Sequence, residues 1–272
     1  MTLRMIQGEK PPQLGGSEYI WADALGDLHY RFRPVEVYED VPRIEHWTGR
    51  FPTTGEEILL RPAHYLPDPF RGQPCYLVLC EVKDPQDMPH ETNTRAALRE
   101  LLYGENRLHF NKGDFPELAF EAQYHQQTDN PSGYRMAEKH IGACVDSGLL
   151  LHSATAYDEA PAWAYRIGAR SVGTDPGDPQ ELLLTVCDHL WLARAFLEKA
   201  GREQGLNPTS LPGRAFIHGH PEDLVVLTEG LRTHWVAHMT LEGIAIELKP
   251  HFDPYVVATR LLSNLYTLRT TP

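Results

Sequence analysis

The chain has 272 residues, of which 42% are hydrophobic and 23% are charged, and its formal net charge is −12. This composition predicts a globular protein large enough for one or two buried cores, rather than a disordered chain. Because the chain is acidic and has no run of Lys or Arg, nucleic acid is not expected as a partner.

The first part of the chain predicts a small β-rich domain. Residues 1–16 are polar and rich in Gly and Pro, which favours a loosely held arm. Alternating apolar residues from Glu18 onward, on both sides of Gly26-Asp27, predict a β-hairpin. Further strand patterns follow at 56–70 and 74–82, and a loop-like stretch suggests a boundary near residues 67–73. We therefore expect one domain at 17–70 and a second at 71–272.

The second part alternates helices and strands. Residues 93–102 predict a helix with Thr92 as N-cap, and 132–148 predict a helix closed by glycine. Residues 179–205 predict a long helix with a single apolar stripe. Strands are expected at 116–125, 149–157, 214–220 and 245–249, and Asp253-Pro254 begins a terminal helix. The class is α+β with mostly antiparallel pairing.

One strand has a polar face that carries candidate chemistry. In PELAFEAQYH, Leu118, Phe120, Ala122 and Tyr124 point to one side, whereas the other side carries Ala119, Glu121, Gln123 and His125. This pattern is typical of a half-buried strand.

Several segments in order resemble the eukaryotic-type branch of the glutamine synthetase family. They include EEILLRPAHYLPDPFRGQPCYLVLCEV, PHETNTRAAL, AEKHIGACVDSGL, CDHLWLARAFL and FDPYVVATRLL, and they extend from about Glu18 to Leu268. The resemblance implies that family's fold, in which an N-terminal β-grasp domain precedes a catalytic domain of curved antiparallel strands backed by helices.

The resemblance also implies one divalent-metal site (Mg, Mn or Zn). Its ligands correspond to Glu121, a histidine that is either His218 or His220, and Glu247. An isolated Glu or His on a strand is usually an ordinary surface residue. A second reading is a two-histidine, one-carboxylate metal site formed among His125, His218, His220, His234, His238 and Glu247. His234 and His238 are read as surface residues, and His125 stays a candidate because it shares a face with Glu121.

The second metal set of the family is replaced. Its carboxylate positions correspond here to Gln123, Tyr157 and Ala164, and an amide binds a hard cation more weakly than a carboxylate does. Asp158 and Glu159 lie next to Tyr157, either as substitutes or as loop carboxylates. A second metal is therefore not expected.

The substrate machinery is also reduced. Only about twenty residues separate His220 from Gly243, where the family carries a flexible loop and several arginines. Here this segment has one arginine, Arg232. Lys249 corresponds to a family arginine and keeps the charge without the bidentate fork. Phosphoryl transfer depends on positioning and charge neutralisation, so ordinary glutamine synthesis is not expected. The candidate catalytic residues are Glu121, Gln123, Tyr157 and Lys249.

Three functions fit these residues. The first is an enzyme with one metal that acts in C–N chemistry on a small amino-acid-like substrate. The second is an ATP-dependent carboxylate–amine ligase with a phosphate grip rebuilt from Arg166, Arg170 and Arg214. The third is a non-catalytic binding or regulatory homologue.

Location and assembly are also predicted. The N-terminus lacks an apolar core for a signal peptide, no stretch of about 18 apolar residues predicts a membrane span, and the scattered cysteines favour reduced thiols. We therefore expect a cytoplasmic protein, and the resemblance implies a homo-oligomeric ring.

Overall fold

The computed structural model describes residues 12–23, 25–51, 54–105, 107–110, 115–125, 131–157, 162–168, 178–218, 236–240 and 243–270. They divide into two compact units between Thr92 and Asn93. Each unit contains one six-stranded sheet, and the described helices belong to the second unit. The predicted α+β class is therefore confirmed.

The first unit is built on a mixed sheet. Its strands are β1 (Gln13–Ala22), β2 (Leu28–Tyr38), β3 (Val41–Pro42), β4 (Trp47–Arg50), β5 (Glu57–Pro67) and β6 (Cys75–Lys83). They stand in the order β3-β2-β1-β6-β5-β4. β1 pairs parallel with β6, and the other neighbouring strands pair antiparallel.

The hairpin of β1 and β2 confirms the pattern predicted from Glu18 onward. The Asp23 carboxylate accepts hydrogen bonds from the backbone N–H groups of Leu25 and Asp27, at 2.9 and 3.0 Å. Gly26 has a φ of 84°, which a residue without a Cβ adopts at no steric cost. The strand begins at Gln13, so residues 13–16 belong to β1 rather than to the predicted arm. Residues 1–11 lie outside the described residues.

The division between the units differs from the predicted one near residues 67–73. β6 lies between β1 and β5 in the first sheet, so 75–83 belongs to the first unit and not to the second. The sequence pattern missed this because a parallel partner comes from a distant part of the chain. The β-grasp identity of the first unit stays a prediction.

The second unit combines an antiparallel sheet with four described helices. The strands are β7 (Glu117–His125), β8 (Leu151–Tyr157), β9 (Ala162–Gly168), β10 (Thr209–His218), β11 (Ala237–Thr240) and β12 (Gly243–Leu248). Their order is β11-β12-β10-β7-β9-β8. The helices are α1 (Thr94–Tyr103), α2 (Pro131–Asp146), α3 (Pro179–Glu203) and α4 (Pro254–Thr270).

Three helices begin at a side-chain cap. The Asn93 side chain accepts from the backbone N–H of Ala96 at 3.0 Å, so the N-cap of α1 is Asn93 and not the predicted Thr92. Asp178 caps α3 just before Pro179. Asp253 accepts from the N–H of Tyr255 at 2.8 Å, which confirms the predicted start of α4.

α3 is the central helix of the second unit. It contacts α1, α2, α4, β7 and β9, so buried residues surround it instead of forming the single predicted stripe. Among the described residues, no helix is both long and apolar enough to cross a membrane.

A buried ion pair joins the helices. Arg95 of α1 donates to both carboxylate oxygens of Asp188 of α3, at 2.9 and 3.1 Å. The hydroxyl of Tyr255, at the start of α4, also donates to Asp188, at 2.5 Å. The Asp188 side chain is only 2% exposed. We call the helices α1 to α4 the helix layer.

The side chains of β7 alternate between the two faces of the second sheet. Phe120 and Tyr124 point to the helix layer, where their rings lie 5.9 Å from the ring of Phe252 and 6.0 Å from that of His140. The opposite side, here the far face, carries the alternate residues Glu117, Ala119, Glu121, Gln123 and His125. The alternation predicted for this strand is confirmed.

A β-bulge determines which residues of β10 lie on the far face. Leu211 lies opposite Gln123 and Arg214 lies opposite Glu121, so three steps along β10 match two along β7. A Cβ at Gly213 would come within 2.5 Å of the Glu121 carbonyl oxygen and 2.6 Å of the Phe252 ring. Glycine therefore permits the close approach of these groups at the bulge.

Candidate functional site

A row of four charged side chains crosses the far face of the second sheet. Arg166 of β9 lies opposite Glu121 of β7, Glu121 opposite Arg214 of β10, and Arg214 opposite Glu247 of β12. Neighbouring strands are about 4.8 Å apart, so each charge faces one of opposite sign at cross-strand distance. We call this set the charged row.

Glu121 is the buried member of the charged row. Its side chain is 10% exposed, and Arg166, which is 13% exposed, donates to one of its oxygens at 3.3 Å. The guanidinium of Arg214 lies 3.8 Å from the other oxygen, and the Arg214 side chain is 48% exposed. Two positive groups therefore neutralise one carboxylate, and one of them reaches solvent.

The Arg166 guanidinium is also held by an aromatic ring. Its carbon lies 3.7 Å from the centre of the Phe216 ring, within the range of a cation–π contact. Phe216 packs with Ala119 and Ala245 in a small buried cluster beside the charged row. This packing fixes Arg166 next to Glu121.

Gln123 and Tyr157 extend the site along the far face. The amide nitrogen of Gln123 donates to Glu121 at 3.1 Å and to the Tyr157 hydroxyl at 3.2 Å. Burial and the charge of Glu121 raise the pKa of Tyr157, against the opposing effect of Arg214 and Arg166. The phenol is therefore protonated near neutral pH. The structure brings together Glu121, Gln123 and Tyr157 of the predicted catalytic set.

The positions that resemble the second metal set of the family are neighbours here. Gln123 lies opposite Ala164, and Tyr157 contacts the Gln123 amide. None of the three carries a carboxylate, so the described residues at these positions do not fit a second divalent cation. Asp158 and Glu159 lie outside the described residues.

The predicted first metal set is spread over the far face. His218 pairs with Glu117, four residues along β10 from Arg214, which places it about 13 Å from the charged row. Glu247 is 57% exposed, and its carboxylate lies 3.4 Å from Nε2 of His238. Arg214 stands between Glu121 and Glu247. Among the described residues, which exclude His220 and His234, no group of three His, Cys, Asp or Glu side chains is arranged to hold a metal.

A metal that uses Glu121 therefore meets an unfavourable donor set in the described part of the chain. Divalent cations prefer clustered oxygen ligands, whereas Glu121 is surrounded by two guanidinium groups and an amide N–H. The set of Glu121, His218 or His220, and Glu247 stays a prediction.

A cavity of about 1260 Å³ opens beside the charged row. Its lining includes predicted site residues and residues around the start of α4. Its polar lining includes Gln123, Arg214, Glu247, Lys249, His251 and Arg260. The cations Arg214, Lys249 and Arg260 outnumber the carboxylates Glu247 and Asp253 in the lining by one, which favours an anionic ligand.

The predicted set lacked the pairing of these residues. The sequence alone predicts Arg166 and Arg214 only as members of a rebuilt phosphate grip and does not predict their contact with Glu121. The signal available in the sequence was an arginine within each of two short apolar strands, AWAYRIG and GRAFIH. Its meaning depends on register across three strands, which alternation alone does not determine.

Known proteins share sequence with most of the chain. It is 31% identical to a glutamine synthetase of Streptomyces hygroscopicus over 91% of the chain and 73% of that protein. It is 28% identical to a chloroplastic glutamine synthetase of Chlamydomonas reinhardtii, over 72% of the chain. It is 31% identical to a glutamine synthetase of Streptomyces viridochromogenes, over 69% of the chain.

The similarity covers only part of the relatives' length. The chain spans 59% of the Chlamydomonas protein and 60% of the Streptomyces viridochromogenes protein. No family model matches the chain. The identity and coverage shared with the Streptomyces hygroscopicus protein nevertheless establish the relationship, and the chain belongs to the glutamine synthetase family.

Proposed function

We propose that the chain acts in C–N chemistry on a small amino-acid-like substrate and that its reaction differs from ordinary glutamine synthesis. The observation that carries this proposal is the charged row, in which Glu121 is held by Arg166 and Arg214 instead of standing among carboxylates. Membership of the family supports a ligase ancestry and amino-acid metabolism.

The cavity supplies the binding argument. Arg214, Lys249 and Arg260 line it, and guanidinium and ammonium groups bind carboxylates by charge-assisted hydrogen bonds. Gln123 and Glu247 add acceptors that suit an ammonium or amide group. A ligand with a carboxylate and an amino group therefore complements this lining.

Lys249 is assigned to the substrate carboxylate. It follows β12 directly after Glu247 and Leu248, and all three line the cavity. A lysine offers a mobile point charge rather than a fork, so it suits a ligand whose carboxylate is also held by a second cation. Arg214 supplies that cation in the same cavity.

The test is ligand binding by calorimetry. L-Glutamate, L-glutamine, L-aspartate and glutarate are titrated into the wild-type chain and into Lys249→Ala, with Lys139→Ala as the matched control. Lys139 pairs with Glu203 on an exposed helix surface, away from the cavity. We expect Lys249→Ala to lose on the order of tenfold in affinity for an amino-acid ligand, and Lys139→Ala to lose none.

Turnover completes the test. The amide of the ligand that binds, such as L-glutamine, is incubated with a panel of amines, so that a new amide bond forms as the substrate amide bond breaks and releases ammonium, and both products are followed by mass spectrometry. A new C–N product supports the proposal. Binding by no ligand, together with no product, contradicts it.

A second candidate is an ATP-dependent carboxylate–amine ligase. The observation that favours it is the positive lining, because Arg214 and Arg260 together suit phosphate as well as carboxylate. Arg170, which the sequence added to this grip, lies outside the described residues. ADP release with magnesium and ATP across the amine panel supports this candidate, and no release and no thermal shift with ATP removes it.

A non-catalytic homologue remains the third proposal. It gains support if amino acids bind and no product forms with any amine, and it is removed if any substrate is turned over. Ring assembly and a cytoplasmic location stay predictions, which light scattering and cell fractionation test.

A further inference from the structure

We propose that Arg166 and Arg214 replace a divalent cation at Glu121, and that Arg214 binds a substrate carboxylate directly, without a metal. The ligand half of this inference rests on the proposed function, because it assumes an amino-acid-like substrate in the cavity. The metal half depends only on the charged row.

The balance of charge carries the first step. Glu121 contributes one negative charge, and the two arginines that contact it contribute two positive charges. Gln123 adds an N–H donor to the same carboxylate. A divalent cation on Glu121 would have to approach two like charges within a few ångströms, and the repulsion weakens its binding.

The geometry fixes one of the two arginines. Arg166 is largely buried, donates to Glu121 and lies over the Phe216 ring at 3.7 Å. Moving it away from Glu121 requires breaking both contacts inside a packed face. Arg166 therefore acts as a permanent counter-charge and positions the Glu121 carboxylate.

Arg214 has the opposite character. Its side chain is 48% exposed and lines the cavity, and its guanidinium lies 3.8 Å from Glu121, beyond hydrogen-bond distance. A guanidinium has five N–H donors in a planar fork, so one side can face Glu121 while the other takes an incoming carboxylate. The cavity lining holds three cations, Arg214, Lys249 and Arg260, and two carboxylates, Glu247 and Asp253, so one ligand carboxylate balances it.

The ligand class follows from this arrangement. A planar carboxylate fits the fork of Arg214 in a bidentate manner, and Lys249 lines the same cavity as a second cation. An amino acid with a side-chain carboxylate, or a dicarboxylate, offers one acid group to each. Affinity should then be independent of divalent metal.

The first experiment measures metal binding directly. Mn²⁺ is titrated into purified wild-type chain, Glu121→Gln, Arg214→Ala, Arg166→Gln/Arg214→Ala and Glu121→Gln/Arg214→Ala, and bound Mn²⁺ is followed by electron paramagnetic resonance. Circular dichroism and thermal melting check that each variant is folded. Glu117→Gln is the matched control, because Glu117 is an exposed glutamate on the same strand and face as Glu121.

The expected result is a gain of metal binding when the arginines are removed. Arg214→Ala, or the double arginine variant, should bind Mn²⁺ at least about tenfold more tightly than the wild type does. Glu121→Gln/Arg214→Ala should lose that gain, and Glu117→Gln should behave as the wild type. Stoichiometric wild-type binding that Glu121→Gln abolishes overturns the inference, as does no gain in either arginine variant.

The second experiment separates this inference from the proposed function. The amino-acid titration is repeated in EDTA and in Mn²⁺, with wild type and Arg214→Ala. Equal affinity in both buffers, lost on the order of tenfold in Arg214→Ala, supports the inference. Binding only in Mn²⁺ overturns it and leaves the proposed function standing. Binding in neither buffer overturns the ligand half together with the proposed function, and the Mn²⁺ titration still decides the metal half.

Discussion

Two carboxylates of the second unit, Asp188 in the helix layer and Glu121 on the far face, are both held by arginine and differ in how completely. Asp188 accepts two hydrogen bonds from Arg95 and one from Tyr255, within a shell that excludes solvent. Glu121 has longer contacts with two arginines, one of them half-exposed.

The difference separates a structural pair from a binding site. One arginine balances Asp188, and all three short contacts tie α1, α3 and α4 together. The contacts of Glu121 are not closed in one pair, because the half-exposed Arg214 lies between Glu121 and Glu247 and lines a cavity. Stability should therefore depend most on Asp188, whereas ligand binding should depend most on the charged row.

The largest expected effect is the removal of the Asp188 carboxylate. Asp188→Ala removes the buried carboxylate that Arg95 contacts at 2.9 and 3.1 Å and should lower the free energy of unfolding by about 3–5 kcal/mol. Urea denaturation measures the loss, and Asp146→Ala, at an exposed position, is the control. A loss similar to that of the control would contradict the structural role of this pair.

The second-largest loss of stability is expected at acidic pH, through a buried histidine of the helix layer. His140 donates from Nε2 to the Ala193 carbonyl at 3.0 Å, and burial lowers its pKa from 6.5 to about 4. Between these values the unfolded chain binds a proton that the folded chain does not. Stability is therefore full above pH 6.5 and falls as the pH drops toward 4, by about 3 kcal/mol.

Denaturation at pH 7 and pH 4.5 measures this fall. His140→Gln keeps an N–H donor without an imidazole, so its pH dependence should be smaller than that of the wild type. Equal pH dependence in the two chains would remove His140 as the cause.

A smaller effect on stability is expected at Glu121. Glu121→Gln keeps the shape of the side chain but removes the charge of the ion pair with Arg166, at an expected loss of about 1–2 kcal/mol. The loss should lie between that of Asp188→Ala and that of the exposed control Glu117→Gln. A loss as large as that of Asp188→Ala would make the two carboxylates equivalent and weaken the comparison.

The smallest effect on stability is expected at Arg214. Arg214→Ala removes a half-exposed pair and should cost less than about 1 kcal/mol, similar to Arg50→Ala in an exposed pair with Glu57. The same change should weaken amino-acid binding on the order of tenfold. Urea denaturation and calorimetry give the two values, and a large loss of stability without loss of affinity would reverse the assignment.

Local patterns in the sequence predicted much of the fold. The alternation of Leu118, Phe120, Ala122 and Tyr124 identified the buried side of β7, and Asp253-Pro254 identified the start of α4. These features depend on residues close together in the chain, so propensity and periodicity suffice. The resemblance supplied the family, which the relatives confirm.

Features that depend on distant strands were not predicted. The parallel pairing of β1 with β6 moved the boundary between the units, and the contacts of Glu121 require the register of β9, β7 and β10. Alternation suggests which residues share a face, but it does not say which residue of the next strand stands opposite. The sequence therefore predicts the candidate residues but not their partners on the neighbouring strands.

The bulge in β10 accommodates one residue that the pairing with β7 does not use. Between Leu211 and Arg214 the strand carries one residue more than its partner β7 needs. Because the bulge takes up this extra residue, residues 214–218 keep the register that a strand one residue shorter would have without a bulge. Were the strand straightened at its present length, Gly213 would face Glu121 and Arg214 would turn to the helix layer. The position of Arg214 opposite Glu121 therefore depends on the one extra residue at the bulge as well as on the arginine itself.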